Sequence, residues 1–271
     1  GALTDWNGRL TATAGDDVSL DATIGIARTE TPALSLSGAA ELAGLVDPPL
    51  RAIVENAVQF DVLVVESAEE RYRIDRMRLQ SDAIEATASG VVDLRDQTLD
   101  LAASLASRDA TRLNEALAPM AVGQIRLDAR ASGALALPEA TLNGSITDAH
   151  VPDVALARSI GLQARIATQA EGRGAARALA WAADIEASGV EAADGPLAGL
   201  TGERLTAVAR GLLNMDMMLL SVDEAILASG PSRLSADGWM NLDNGEMDAT
   251  VEADIGDLSG LGDAMDRQLS G

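Results

Sequence analysis

From Ile84 to Leu105 the apolar residues fall on alternate positions. In Ile84-Glu85-Ala86-Thr87-Ala88-Ser89-Gly90-Val91-Val92-Asp93-Leu94 they occupy mostly even numbers. After Arg95-Asp96-Gln97-Thr98 they move to odd ones, at Leu99, Leu101, Ala103 and Leu105. A period of two belongs to a strand with one apolar face. A polar break with a change of phase belongs to a hairpin. A chain built this way is confined to sheets with one greasy side and one wet side.

The pattern recurs. Ile74-Asp75-Arg76-Met77-Arg78-Leu79-Gln80-Ser81 aligns without a gap to Val222-Asp223-Glu224-Ala225-Ile226-Leu227-Ala228-Ser229, displaced by 148 positions (74 to 222). The displacement continues through Ala88/Ala236, Gly90/Gly238, Leu94/Leu242, Leu99/Met247 and Asp100/Asp248. In the second copy Leu234, Ala236, Gly238, Met240 and Leu242 lead into Asp243-Asn244-Gly245-Glu246, followed by Met247, Ala249, Val251 and Ala253. Asn-Gly between alternating runs is a strong hairpin signal, because a type I′ turn needs positive φ at both central residues. A partial third copy has Gly133, Leu137 and Leu142, with Pro138-Glu139 expected in its turn, and Leu20-Asp21-Ala22-Thr23-Ile24 echoes Met247-Asp248-Ala249-Thr250-Val251. The uneven spacing argues against a β-helix of fixed rung length. Repeated units of this kind bury their apolar faces by stacking on neighbours.

The expected fold is all-β: an elongated, curled, antiparallel-rich sheet, open and groove-like, built from long repeated hairpins with a few short helices. Residues 1–271 read as one repetitive segment, with related units at about 74–105 and 222–253. Helices are expected from Pro48 to Val58, where prolines open the run. A second is expected from Asp109, a candidate N-cap, to Leu117 before Pro119. A third is expected from Asp257 to Leu269.

Composition narrows the interior. Hydrophobic residues make up 47% of the chain but aromatics only 2%, namely Trp6, Trp181, Trp239, Tyr72 and Phe60. Aromatics usually supply much of a core's volume, so a thin, layered or hollow structure fits better than a thick core. The net charge is −22, and nucleic-acid phosphates would need a basic face. There is no cysteine, which excludes disulfides and thiolate zinc sites.

Catalytic chemistry is not indicated. His150 is the single histidine, so neither a zinc site nor a Ser-His-Asp arrangement has support. Asp16-Asp17 and Asp243-Asn244-Gly245 lack calcium-loop spacing and read as turns. Gly172-Arg173-Gly174 lacks the Lys-Ser/Thr of a phosphate loop. No catalytic, metal or cofactor-binding residue is assigned, and an enzyme is not expected.

The apolar phases supply the candidate site instead. Its expected lining is Leu79, Val92, Leu94, Leu99, Leu101, Leu105, Ile125, Leu127, Leu135, Leu137, Leu142, Met215, Met217, Leu219, Met240, Leu242, Met247 and Val251. Asp93, Asp100, Arg126, Asp128, Asn241, Asp248 and Glu252 take the opposite phase. Alternation alone suits a sheet packed on an ordinary core as well as a ligand groove.

The chain resembles the TamB family, the inner-membrane-anchored subunit of the translocation and assembly module, within the wider AsmA-like group. Trp6-Asn7-Gly8-Arg9-Leu10-Thr11 and Leu34-Ser35-Leu36-Ser37-Gly38 carry the likeness. So do Ile74-Asp75-Arg76-Met77-Arg78-Leu79 leading to Ser89-Gly90-Val91-Val92-Asp93-Leu94, then Ser132-Gly133-Ala134-Leu135-Ala136-Leu137-Pro138-Glu139-Ala140, and Leu234-Ser235-Ala236-Asp237-Gly238. These are patterns of small, apolar and glycine positions rather than a catalytic signature. The resemblance implies a periplasmic rod of curled sheet with an apolar concave face, anchored in the inner membrane by a helix outside this sequence. It implies phospholipid acyl chains as cargo and a role in outer-membrane protein assembly. It also implies a TamA-type outer-membrane barrel as partner, reached through other regions. The competing expectation is a β-solenoid spacer with a filled core and no ligand.

Overall fold

The structure, a computed structural model, describes residues 5–15, 18–28, 31–168, 178–192 and 203–256. The helix expected at Asp257–Leu269 lies outside the described residues, as do Asp16, Asp17 and Gly172-Arg173-Gly174.

Fifteen strands follow one another: β1 (Asp5–Thr13), β2 (Ser19–Ala27), β3 (Ala33–Glu41), β4 (Val58–Ala68), β5 (Arg71–Gln80), β6 (Ile84–Asp93), β7 (Thr98–Ser107), β8 (Gln124–Ala134), β9 (Leu137–Val151), β10 (Ala155–Thr168), β11 (Ala178–Ala192), β12 (Arg204–Asn214), β13 (Leu219–Ser229), β14 (Ser232–Asn241) and β15 (Met247–Asp254). They form one open sheet in sequence order, with β1 and β15 as its edges. The mostly antiparallel sheet with few helices is the fold class expected from the alternation. The chain divides into two compact units, Gly1–Pro138 and Glu139–Gly271.

In the first unit the register carries one apolar face from strand to strand. Ile24 lies opposite Gly8 and Leu36, Leu36 opposite Val62, and Val62 opposite Met77. The other face carries cross-strand ion pairs: Arg9–Asp21, Arg76–Asp61 at 2.7 Å and Arg78–Glu85 at 2.9 Å. Such exposed pairs add little stability. Hydrogen bonds from Arg9 and Arg73 hold the Asp21 and Asp75 carboxyls below their ordinary range. Their small contribution is therefore complete above that range and fades as pH falls below it.

Both copies of the repeat contain the same irregularity. β5 carries an extra residue between Ile74 and Met77, which face Gly90 and Ala88 on β6. β13 carries one between Val222 and Ala225, which face Gly238 and Ala236 on β14. A bulge of one residue reverses the phase of everything beyond it. Glycine faces the start of each bulge for a steric reason. Gly90 has φ +146°, and a Cβ there would sit 2.1 Å from the Asp100 carbonyl oxygen; Gly238 has φ +158° and would meet the Asp248 carbonyl at 2.3 Å. The turns correspond as well. Glu70 and Met218 both adopt positive φ (59° and 48°), and their carbonyls accept from Leu94 N at 2.9 Å and Leu242 N at 2.8 Å.

Two α-helices occur among the described residues: α1 (Pro48–Val54), between β3 and β4, and α2 (Ala110–Leu117), between β7 and β8. Asp109 Oδ1 accepts from Thr111 N at 2.8 Å, as its N-cap position predicts. α1 is shorter than the expected 48–58, because the chain enters β4 at Val58. The helices pack on each other and are joined by Arg112–Glu55, while Arg108 donates to the Ser81 carbonyl at 2.7 Å. Leu113, Ala116 and Ala83 are buried beside this pair.

One expected turn is displaced. Pro138-Glu139 belongs to β9, and the turn is Leu135-Ala136, with Leu135 N bonded to Gln97 O at 2.8 Å. Proline is tolerated this close to the start of a strand.

Gly90→Ala is expected to cost about 2 kcal/mol in urea unfolding, from strain at its φ and the clash with Asp100. Gly161→Ala should leave stability unchanged or slightly raised, since a Cβ there comes no closer than 3.8 Å to a neighbour.

Candidate functional site

The register decides which expected lining residues share a face. In the first unit Leu79, Ala86, Leu105 and Leu127 form one row across four strands, and Val92 lies opposite Leu99. Leu101 faces Gly90 on the same side, and Ile125 shares the phase of Leu127 on β8. In the second unit Leu142 faces Ala164, Met240 faces Met247, and Ala236 faces Val251, all on one side.

Seven residues of the expected lining lie elsewhere. Leu94, Leu135, Met215, Met217 and Leu242 occupy turns rather than strands. Leu137 shares its phase with Thr141 and Asn143, opposite to Leu142, because the turn comes earlier than expected. Leu219 faces Asn214 and Asn241, opposite to Leu220 and Val222. Its odd number matches Ala225 and Leu227, but those lie beyond the bulge, where the phase has flipped.

The apolar face of the second unit has a relief that residue counting does not reveal. Ala164, Ala183, Ala209, Ala225 and Ala236 stand directly opposite one another on β10 to β14. Five adjacent strands make this row about 19 Å long, at some 4.8 Å per strand. One side is flanked by Ile166, Trp181, Gly211, Val222 and Gly238, the other by Leu162, Ile185, Ala207, Leu227 and Leu234. A furrow floored by alanine results, with larger side chains along part of each side. A cavity of about 210 Å³ lies on it, lined by Ala183, Ile185, Ala207, Ala209, Ala225, Leu227, Leu234 and Ala236, with Val208, Ile226 and Ser235. The first unit has a shorter alanine row, Ala88, Ala103 and Ala129.

Among the described residues, nothing closes over the apolar face of either unit. Among the described residues, the buried strand positions on these faces are Ala22, Ala40, Ala187 and Gly211. Leu34 is 47% exposed, Leu234 41% and Leu227 40%. The opposite face of the second unit has a concavity of about 490 Å³ lined by Asn143, Gln163, Asp184, Glu186, Ser188 and Thr206, among others. Polar side chains line it beside Val208: Glu186 pairs with Arg204, and Ser159 and Ser188 share a 2.8 Å hydrogen bond.

Among the described residues no group of His, Cys, Asp and Glu side chains could hold a metal ion, and no helix is long and apolar enough to cross a membrane. Compared with known proteins, the chain matches no protein-family model, no curated protein and no solved structure.

Leu227→Ala and Leu234→Ala are each expected to cost about 1 kcal/mol in urea unfolding. A leucine buried in a filled core would cost about 2–5 kcal/mol.

Proposed function

We propose that this chain is a periplasmic segment of a TamB-like protein, whose apolar face shields phospholipid acyl chains between the inner and outer membranes of a bacterium. The observation that carries the reading is the alanine furrow: open, apolar, and bordered by larger side chains along part of each side. An acyl chain crossing water exposes roughly 0.8 kcal/mol per methylene, so a chain of about 16 carbons needs cover worth on the order of 12 kcal/mol. Scattered apolar side chains cannot supply that along a path, whereas a registered row can. The small floor leaves room for a methylene chain to lie between the walls. The near absence of aromatics leaves few rings to obstruct sliding. The same role would extend to outer-membrane protein assembly through lipid supply.

A photo-crosslinking residue placed at Ala209, Ala225 or Leu101 should capture palmitoyl-oleoyl phosphatidylethanolamine from vesicles. The same residue at Asp184 or Asp100, on the polar faces, should capture several-fold less. Equal capture at the two sets would sink the proposal. Ala209→Arg should fold normally and reduce capture at Ala225, because its charge projects into the furrow.

A further inference from the structure

The two copies of the repeat provide an internal comparison, since the same local backbone is decorated in two ways. In the first copy the turn residue with positive φ is Glu70, and the facing strand positions near that turn are Val92 and Leu99. In the second copy the equivalent positions are Met218, Met240 and Met247. Every one of the three has changed to methionine, although the bulge, the β6–β7 and β14–β15 hairpins and the turn-to-turn hydrogen bond correspond; the turn before them is Glu69-Glu70 in the first copy and the longer Met215–Met218 in the second. The shared hairpin backbone therefore does not ask for methionine at 240 or 247. Met215 and Met217 stand in the same turn as Met218, so five of the eight methionines of the chain gather at one end of four adjacent strands.

The positions are also held in place. Met240 and Met247 are direct cross-strand partners, which sets their Cβ atoms about 5 Å apart. The Met218 carbonyl accepts from Leu242 N at 2.8 Å, tying the β12–β13 turn to the β14–β15 turn. Asn214 Oδ1 accepts from Met217 N at 3.0 Å, and Asn241 Oδ1 accepts from Asp243 N at 2.9 Å, fixing each turn internally. Met217 and Met247 are 57% and 67% exposed. A bulky residue at positive φ is an uncommon and strained choice. Asp216, Asp243 and Glu246 in the two turns make the surroundings attractive to a cation.

We propose that this methionine cluster binds a soft monovalent cation, Cu(I) or Ag(I), through thioether sulfurs of Met218, Met240 and Met247, with Met215 and Met217 within the same turn as further donors. Thioethers are soft ligands that select such ions over magnesium or calcium. The chain has no cysteine and one histidine, so methionine is its main soft donor. The inference is independent of lipid shielding, which concerns the furrow on neighbouring rows.

The test is a titration of the full chain with Cu(I) under anaerobic conditions, in competition with a chromogenic Cu(I) chelator, and a parallel titration with Ag(I). One equivalent should be withdrawn from the chelator, and X-ray absorption of the complex should show sulfur scatterers in the first shell. The double variant Met240→Val/Met247→Leu carries the side chains of the first copy on the same backbone and should keep its thermal unfolding temperature. It should lose affinity by on the order of tenfold or more, at least the effect of losing a supporting group around a metal. Glu70, Val92 and Leu99 serve as the built-in control, and Val92→Ala should leave binding unchanged. Failure to compete with the chelator, a first shell of oxygen or nitrogen only, or unchanged affinity in the double variant would each overturn the site.

Discussion

A sheet with one apolar face normally buries it against a second layer. In each unit here the apolar face stays half exposed instead, and the rest of the structure depends on that. The described helices α1 and α2 bury Leu113 and Ala116 beside Ala83, but they leave residues such as Leu34 at 47% exposure. The opposite face carries the Arg–Asp and Arg–Glu pairs. The net charge of −22 gives a one-sided molecule the repulsion that keeps such faces from associating.

The continuity of the apolar face depends on the two bulges. Strict alternation after Ile74 would bring Arg76 and Arg78 onto that face, and after Val222 it would bring Glu224. The extra residue in β5 keeps Arg76 on the polar side, 2.7 Å from Asp61, and returns Met77 and Leu79 to the apolar one. In β13 it leaves Glu224 paired with Arg210 and returns Ala225 and Leu227. Gly90 and Gly238 lie opposite the bulges where the neighbouring backbone comes too close for a side chain. A local defect in the pattern is thus what keeps the long-range pattern intact.

Much of this was legible in the sequence. The strands around 84–105 and 234–253, the hairpins they form and the capped helix after Asp109 follow from alternation and capping chemistry; the type I′ turn does not form, since Gly245 has positive φ (73°) but Asn244 does not, and Gly245 N bonds back to Asn241 O at 2.9 Å. Phase beyond an irregularity is not legible, so alternation alone sets Leu219 with Met240; Leu137 joins Leu142 only if the turn is put at Pro138-Glu139, three residues later than it lies. The only signal of the bulge was a pair of charged neighbours, Asp75-Arg76 and Asp223-Glu224, inside otherwise alternating runs. The furrow was hidden for a different reason. Ala164, Ala183, Ala209, Ala225 and Ala236 come from five strands with unequal links between them, and only the register aligns them.

The choice of side chain on a fixed backbone carries information that the fold does not. Val92 and Leu99 in one copy, Met240 and Met247 in the other, satisfy the same hairpin equally well. Ala103 becomes Val251 without disturbing the pairing. Side-chain volume along a row is therefore free to answer to whatever the face meets. Alanine recurs on five successive strands, while seven of the ten positions on the rows to either side carry larger residues, the others being Ala207, Gly211 and Gly238. Packing within a single sheet cannot account for that contrast, because neighbouring rows of one face meet the same backbone spacing. A pressure along the row, across strands distant in sequence, is what would keep the floor low and the walls high.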